Sequence, residues 1–151
     1  HEGTNGIQSL DLLGRKVTQR GGASLAALGQ VIAETVRAAD ELGGEGAELA
    51  GALDASWQRL VAVTGGMFGS GDIPAVMANS HVYLEAFGHI VVAWLWLEQF
   101  VAAAGKDGDF CDGKRQATRY FFRFELPKTA PQLDLLESLD RTTLEMRDAW
   151  F

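Results

Sequence analysis

The first eight residues, HEGTNGIQ, carry the side chains with the clearest potential for chemistry. A carboxylate, Glu2, stands just before a predicted helix start, and Thr4 or Asn5 can cap that helix. The unpaired amide groups of a first helical turn point back toward such a carboxylate and form a ready site for an anion. Gly3 and Gly6 allow a ligand to approach the backbone closely. Spacing alone favours the simpler alternative, an ordinary helix cap with a frayed end.

A second group of polar residues lies further along the chain. His81, Glu85 and His89 stand at positions i, i+4 and i+8, so they share one face of a helix. Two imidazoles and a carboxylate are ligands for a transition metal. Residues eight apart, however, lie about 12 Å apart along a helix axis, so one ion cannot easily reach both histidines. We therefore expect polar groups packed against neighbouring helices and no metal site.

Two further features resemble reactive sites but lack their essential parts. The run GGMFGSG at residues 65–71 has no Gly-Lys-Ser/Thr ending and follows no strand, so it predicts a turn between helices and not a phosphate loop. Cys111 has no evident His or Asn partner and lies among Asp107, Asp109 and Asp112. Because nearby acidic groups raise a thiol's pKa, we do not expect it to act as a nucleophile.

Composition limits the classes of function. The chain has 151 residues, and 13 basic against 20 acidic side chains give a net charge of −7. This balance argues against a general nucleic-acid-binding surface and against binding to an anionic membrane. The hydrophobic fraction of 47% is enough for a full core. A lone cysteine fits a reducing compartment, so we expect a cytoplasmic protein, and no signal-peptide pattern opens the chain.

Apolar residues recur at helical spacing along nearly the whole chain, and strand-like alternation is almost absent. This pattern predicts an all-α fold, an up-down bundle of four to five long helices with short Gly-rich turns. The breaks are predicted at Gly21-Gly22, near Gly43-Gly44, at Gly65-Gly66 or Gly69, and at Gly105.

The fourth helix should be the central one. Asp72 is a plausible cap with Pro74 in the first turn, and the stripe runs without interruption from Val76 to Val101. Residues 86–105 are long enough to span a bilayer. They include ionisable groups such as His89 and Glu98, which are costly inside a membrane. A buried bundle helix without a membrane span is therefore expected.

The last third of the sequence predicts a fifth helix from about Asp109, kinked or split by Pro127 and Pro131. Its inward-facing residues should be Ala117, Tyr120, Phe121 and Phe124, and Phe122 is expected to face a partner chain or a missing domain. A final short helix, capped by Asp140, is predicted through Met146.

The octet followed by SLDLLGRKV resembles the helix-start motif of the flavin-dependent acyl-CoA dehydrogenases, in which a Glu-Gly-Thr triplet precedes a helix of the C-terminal domain. The later sequence resembles the branch of that superfamily with an added C-terminal helical domain, which includes the 3-methylmercaptopropionyl-CoA dehydrogenases. The stretches that carry this second resemblance are RGGAS at 20–24, the segment Trp94–Gln99, and KRQATRYFF at 114–122 leading to Leu126-Pro127.

The resemblance assigns roles to the octet. Glu2 would be the catalytic base that removes the α-proton of an acyl-CoA thioester, while the β-hydride goes to the flavin. Glu2 and Gly3 would lie beside the thioester, with the Glu2 backbone N–H polarising its carbonyl. Thr4, Asn5 and Gly6 would lie along FAD. Many relatives have Gln in place of Gly6, so a side-chain contact to FAD is lost here or replaced by the backbone.

The resemblance also implies a division of the chain. Residues 1–22 would form the last helix of the dehydrogenase core, and residues 23–151 the added helical bundle. The full-length enzyme, acting in fatty acid metabolism, would bind FAD and an acyl-CoA, pass electrons to an acceptor and form a homo-oligomer. The isolated chain would be inactive and would bind no FAD. Apolar surface along Ile7, Leu10 and Leu13, exposed by the missing core, would favour dimerisation of the fragment.

The alternative is a free-standing helical interaction or oligomerisation domain without catalysis. The gene distinguishes the two hypotheses. A reading frame that continues upstream of His1 for about 400 residues of strand-rich sequence, the length of two to three domains, would indicate the dehydrogenase. A start codon shortly before His1 would indicate the interaction domain. The residues alone leave open the acyl chain length, the presence of sulfur in the substrate, and the electron acceptor.

Overall fold

The computed structural model describes residues 3–151, so His1 and Glu2 lie outside the described part of the chain. Within residues 3–151 the regular structure is entirely helical, which confirms the all-α bundle. The α-helices are α1 (Asn5–Asp11), α2 (Gln19–Asp40), α3 (Gly44–Gly69), α4 (Ile73–Ala78), α5 (Ser80–Ala102), α6 (Asp109–Tyr120) and α7 (Thr129–Glu137).

The boundary between α1 and α2 lies where the glycine pair predicts it. A π-helical turn, Leu12–Lys16, first prolongs α1. Arg20, Gly21 and Gly22 then adopt left-handed φ angles of 53°, 65° and 86°, which kink the chain within the bounds of α2. Because left-handed backbone is readily accessible only to glycine, the Gly-Gly pair makes this change of direction possible.

The glycine-rich run at residues 65–71 does not end its helix at Gly65-Gly66. Both residues, and Gly69 after them, belong to α3, and the chain leaves the helix only at Ser70 and Gly71, whose φ is 73°. Glycine inside a helix costs about 1 kcal/mol relative to alanine. The helix continues because Met67, one residue further on, is buried in the core. Of the two predicted ends, Gly65-Gly66 and Gly69, the structure therefore confirms Gly69.

The long fourth helix of the prediction is divided in two. The Asp72 carboxylate caps α4 as expected, accepting a hydrogen bond from the Ala75 amide at 3.1 Å. Asn79 then interrupts the helix, because its buried amide donates to the carbonyl oxygens of Ala75 at 2.9 Å and of Asp140 at 2.8 Å. A short side chain that bonds to nearby backbone in this way competes with the helical pattern. The single helix predicted across Asn79 was wrong.

Helix α5 is the centre of the bundle. It contacts α1, α2, α3, α4, α6 and α7. By length and composition it is also the one helix in residues 3–151 that could cross a membrane. Helices at the centre of a bundle share that property, because they are apolar nearly all round. The contacts on several sides agree with the predicted central bundle helix.

Two close approaches bring α2 and α3 together. A Cβ atom at Gly46 would lie 2.5 Å from the backbone oxygen of Ala39, and one at Gly29 would lie 3.1 Å from the indole nitrogen of Trp57. The carbonyl of Ala39 cannot move aside as the end of a flexible side chain can. Gly46 is therefore required where α3 leaves its turn and passes back along α2.

The inward face of α6 differs from the prediction. Tyr120 and Phe124 are both more than half exposed, and their rings stack with centroids 5.0 Å apart. Thr118 and Phe122 are buried in their place, and the Thr118 hydroxyl donates to the Trp96 carbonyl of α5 at 3.0 Å. A π-helical turn over Phe121–Glu125 adds one residue to the local repeat and shifts the register. Phe122 therefore faces the core and not a partner chain.

The two prolines of this region act differently. Pro127 lies in a 3-10 turn, Leu126–Lys128, that separates the π turn from α7, which confirms the split. Pro131 lies in the first turn of α7 and does not interrupt it. An amide in the first helical turn has no intrahelical acceptor, so proline costs little there.

The final short helix predicted after Asp140 does not form. The Asp140 carboxylate accepts hydrogen bonds from the backbone and the hydroxyl of Thr142, at 3.0 and 3.2 Å. Such a turn, closed by the side chain two residues back, replaces the first turn of a helix. Arg141 then pairs with Asp72 at the start of α4, which fixes this turn against the bundle.

The buried hydroxyl pair of Tyr83 and Thr64 predicts an alkaline limit to stability. Thr64 donates to the Leu60 carbonyl at 2.7 Å, so Tyr83 donates to Thr64 across 2.8 Å. Burial raises the pKa of Tyr83 to about 12, above the value near 10 of an unfolded tyrosine. From pH ~10 to ~12 the unfolded state therefore loses the proton first, and roughly 2–3 kcal/mol of stability is lost as the pH rises.

The test is urea unfolding of wild type and Tyr83→Phe at intervals from pH 7 to pH ~12, the range over which tyrosine titrates here. The variant should be about 1 kcal/mol less stable at neutral pH, because one buried hydrogen bond is lost. It should also lose less unfolding free energy than wild type as the pH rises, because no buried tyrosine remains to titrate. Tyr120→Phe is the matched control, since Tyr120 is exposed and should leave both quantities unchanged. An unaltered alkaline decline in Tyr83→Phe would contradict the assignment.

Candidate functional site

The start of α1 presents open backbone to solvent. Gly3 is exposed with a left-handed φ of 63°, and nothing lies within 4 Å of where a Cβ would stand on Gly3 or Gly6. The first intrahelical hydrogen bond runs from the Gln8 amide to the Thr4 carbonyl at 2.9 Å. The amide groups that precede Gln8 in α1 therefore have no acceptor within the helix and can bind a ligand's oxygen atoms.

Capping differs from what the octet predicts. Thr4 precedes α1, but its backbone is helical, with φ −95° and ψ −1°, and its side chain accepts no hydrogen bond from a helix amide. A capping side chain reaches the first-turn amides from an extended backbone, which Thr4 does not have. Its hydroxyl instead accepts a hydrogen bond from the Gln8 side chain at 3.1 Å. Asn5 is already the first residue of the helix, so the expected side-chain cap was wrong.

The structure thus brings Gly3, Thr4, Asn5 and Gly6 together at one end of α1. Thr4 is half-buried, and the other three are exposed. Glu2, the predicted catalytic base, lies outside the described residues, and its role stays a prediction. The hydrogen-bond donors that the described residues offer are a row of backbone amides, and two of the residues, Gly3 and Gly6, have no side chain. That set fits the polar atoms of a nucleotide cofactor better than it fits a metal ion, which amide N–H groups cannot ligate.

Helix α1 is anchored to the bundle on its other side. Ser9 is buried and donates to the Gly6 carbonyl at 2.9 Å, so Ser80 at the start of α5 donates to Ser9 across 3.2 Å. Leu13 and Val17 continue this face into the hydrophobic core. Ile7 and Leu10 are exposed, as the sequence predicts, but Leu13 is not. Leu13 belongs to the hydrophobic core, so the predicted exposed stripe is shorter than expected.

A cleft that spacing does not predict lies at the far end of α1. It has a volume of about 170 Å3 and is bounded by the π turn, α2 and α5. The walls are almost wholly apolar, with the Lys16 side chain among them; the lining residues are Leu12, Lys16, Val17, Ser24, Leu25, Leu28 and Phe87. These residues come from three separate elements, so only the tertiary fold assembles them. A cleft of this size and polarity fits a short apolar chain.

The two histidines of α5 turn to different carboxylates. His81 Nε2 lies 3.4 Å from Glu85 Oε1, while His89 Nε2 lies 3.7 Å from Glu125 Oε2 after α6. The hydrogen bond that Lys128 donates lowers the pKa of Glu125. The positive charges of Lys128 and His89 lower the same pKa further. Within residues 3–151 no group of three or more metal-binding side chains is gathered at one point. The His89–Glu125 contact joins α5 to the segment that follows α6, whereas the His81–Glu85 pair lies within α5.

Residues 25–147 match the family model described as "Acetyl-CoA dehydrogenase C-terminal like". The chain belongs to this family. It is also 30% identical, over an alignment 166 residues long, to the broad-specificity linear acyl-CoA dehydrogenase FadE5 of Mycobacterium tuberculosis. That alignment covers 100% of this chain and 27% of the relative, so the chain spans about a quarter of the relative's length.

The two comparisons cover different parts of the chain. The family match begins after the kink at Gly21-Gly22, so it concerns the bundle and not α1. The alignment with the relative covers the whole chain and so includes the octet. The resemblance to acyl-CoA dehydrogenases is thereby confirmed at the level of the family, whereas the roles of individual octet residues rest on the motif alone.

The anchoring of α1 predicts unequal effects of two leucines. Leu13 is fully buried, and Leu10 is 48% exposed on the same continuous helix. Leu13→Ala should cost roughly 2–5 kcal/mol of unfolding free energy, because it leaves a cavity in the hydrophobic core. Leu10→Ala should cost about 0.5 kcal/mol or less. Urea unfolding gives both values, and hydrogen exchange of the α1 amides should accelerate only in Leu13→Ala. Equal losses in the two variants would contradict the anchoring of this helix.

Proposed function

We propose that this chain is the C-terminal part of an FAD-dependent acyl-CoA dehydrogenase, which oxidises an acyl-CoA thioester to the 2,3-enoyl-CoA. The observation that carries the proposal is the Glu-Gly-Thr motif that precedes α1 in the sequence, in a chain aligned along its whole length with an acyl-CoA dehydrogenase. Because the chain spans about a quarter of that relative, the activity, substrate and partners of the whole protein are all part of the proposal.

The division of the chain is also proposed. Residues 1–22 would be the last helix of the dehydrogenase core, and residues 23–151 the added bundle domain. The left-handed kink at residues 20–22 and the family match from residue 25 support a boundary there. The Ser9–Ser80 hydrogen bond crosses that boundary. The added domain would therefore hold the active-site helix in place, besides shaping the acyl pocket and contributing oligomer contacts.

Glu2 is the proposed base, and Gly3 the residue beside the substrate thioester. The α-proton of a thioester is only weakly acidic, so a carboxylate that removes it needs a desolvated site that raises its pKa. The dehydrogenase core would supply that dry environment. The backbone N–H of Glu2 would polarise the thioester carbonyl, which stabilises negative charge developing there. Gly3, with no side chain, lets the substrate lie against the backbone.

Thr4, Asn5 and Gly6 would hold FAD. Their place at the start of α1, where amides have no intrahelical acceptor, suits hydrogen bonding to a cofactor. Gly6 has no side chain to offer, so its contact would be through the backbone. When bound, FAD supplies the acceptor for the hydride that leaves the β-carbon.

We place the enzyme in the branch with an added C-terminal helical domain, which includes the 3-methylmercaptopropionyl-CoA dehydrogenases. A cytoplasmic location and a place in fatty acid metabolism follow from that proposal, as do an electron-accepting partner and a homo-oligomeric state. The second candidate function is a helical interaction or oligomerisation domain without catalysis. The exposed aromatic side chains of α6 and the following turn favour it, because exposed apolar patches mark interaction sites.

The decisive experiment replaces the proposed base. In the complete enzyme, Glu2→Gln should lower α-proton exchange of an acyl-CoA by roughly 10²–10⁴-fold, because the amide cannot accept the proton. Deuterium incorporation from D2O, followed by mass spectrometry, measures the exchange, and flavin absorbance checks that FAD stays bound. Glu48→Gln, at an exposed position of α3, is the control and should exchange normally. Exchange retained in Glu2→Gln would mean that the base lies elsewhere.

Cofactor binding by the isolated chain gives a second test. Residues 1–151 supply only one end of the proposed FAD site, so the purified chain should elute from gel filtration without flavin absorbance. The complete polypeptide, treated identically with added FAD, should elute with the cofactor bound. A flavin-loaded preparation of the isolated chain would show that the site is contained in the bundle, against the division proposed above.

A further inference from the structure

The cleft at the far end of α1 has walls that suit an apolar occupant. Its volume is about 170 Å3, and its apolar walls are formed chiefly by Leu12, Leu25, Leu28 and Phe87. These side chains carry no hydrogen-bonding group, so a molecule that fills the cleft gains free energy by removing apolar surface from water. A polar group buried here would lose its hydrogen bonds to water without replacement.

The volume of the cleft limits the length of that occupant. An apolar protein cavity of roughly 150 Å3 holds a single benzene ring. The cleft, at about 170 Å3, therefore has room for about six carbon atoms. A helix from another domain, about 10 Å across with its side chains, is too wide to enter. The same limit excludes the ring system of a flavin and a whole coenzyme A.

A cation without an ion-pair partner stands at the rim of the cleft. Lys16 lines the cleft and is exposed, so its aliphatic part covers the wall while its ammonium group remains in solvent. Within residues 3–151 no carboxylate lies within ion-pair distance of this ammonium. The neighbouring acid, Asp11, is bound instead by Arg15, whose Nη2 donates to Asp11 Oδ2 at 2.8 Å. The charge of Lys16 is therefore available to a ligand.

The surroundings of this ammonium are basic, although the whole chain has a net charge of −7. Residues 11–20 contain three cations and one carboxylate, namely Arg15, Lys16, Arg20 and Asp11. The wall residues that α2 and α5 contribute include no acid. Glu85 of α5 contacts His81 and Gln132 instead. The local charge thus favours an anionic ligand over a cationic one.

We propose that the cleft binds a short alkyl carboxylate of about six carbons, with the chain inside and the carboxylate at the rim. Lys16 pairs with the carboxylate there. The Ser24 hydroxyl lines the cleft and makes no hydrogen bond within residues 3–151, so it can donate to the same group. A neutral molecule of equal length leaves the charge of Lys16 unused, and an alkyl ammonium is repelled by it.

The cleft is separate from the site of the proposed oxidation. Nine residues lie between the positions of Gly3 and Leu12, which is roughly 14 Å along the helix. The ligand also has a free carboxylate, whereas the proposed substrate is a thioester. Because the π turn forms one wall, a bound ligand should hold the end of α1 against α2 and α5. The inference does not depend on the dehydrogenase proposal.

Saturation-transfer NMR on the complete polypeptide tests the charge preference, with hexanoate as the probe. Hexanoate should bind with a Kd of about 1 mM, as expected for so small a ligand, and hexylamine about fivefold more weakly. Lys16→Glu should reverse this preference, because the charge at the rim is inverted. Lys106→Glu is the matched control, since Lys106 is also exposed but follows the other end of α5, and should keep the wild-type preference.

A second pair of variants tests the location. Ser24 is exposed, so Ser24→Trp places an indole at the mouth of the cleft and should weaken hexanoate binding about tenfold. Ala23→Trp is the matched control, because Ala23 is also exposed on α2 but does not line the cleft, and should leave the Kd unchanged.

Four results overturn the proposal: no saturation transfer to hexanoate, equal Kd values for hexanoate and hexylamine, a preference unchanged by Lys16→Glu, or a Kd unchanged by Ser24→Trp. If the rest of the polypeptide covers the cleft, the first result follows. If hexanoate enters the proposed acyl-CoA site instead, the last one follows. None of them alters the proton-exchange experiment with Glu2→Gln, which tests the dehydrogenase proposal separately.

Discussion

The packing of α5 is the constraint on which the rest of the structure depends. This helix is apolar nearly all round, and α1, α2, α3, α6 and α7 each bury part of their own surface against it. Polar atoms on α5 are paired across these contacts, as in the buried hydrogen bond of Tyr83 to Thr64 and the partly buried one from Trp94 Nε1 to Thr35 at 2.8 Å. Buried hydrogen bonds of this kind fix the rotation of each helix, which apolar contact alone leaves less defined.

The same central helix connects the bundle to the site of the proposed chemistry. Ser80, the first residue of α5, contacts Ser9 of α1, and Asn5 and Gly6 lie one turn further toward the start of α1. The position of this end of α1 therefore depends on how α5 packs in the bundle. A helix joined on one side to a bundle and exposed on the other, at Ile7 and Leu10, is suited to lie between two domains.

A single extra residue accounts for the aromatic surface. The π turn after α6 keeps Thr118, Phe122 and Leu126 on the inward face and leaves Tyr120 and Phe124 outside. With regular α-helical spacing, a different set of these aromatic residues would face the core. The turn thus increases the exposed apolar area of the segment that follows α6.

The sequence by itself determined the helical class, the kink at Gly21-Gly22, the cap at Asp72, the central position of α5 and the family motif at the start of α1. These follow from apolar periodicity, from left-handed glycine and from local capping, which involve residues close together in the chain. Only the tertiary structure decided the interruption at Asn79, the register of Phe122, the burial of Leu13 and the cleft beside Lys16. Each depends on contacts between residues far apart in sequence, such as Asn79 with Asp140, which no local pattern records.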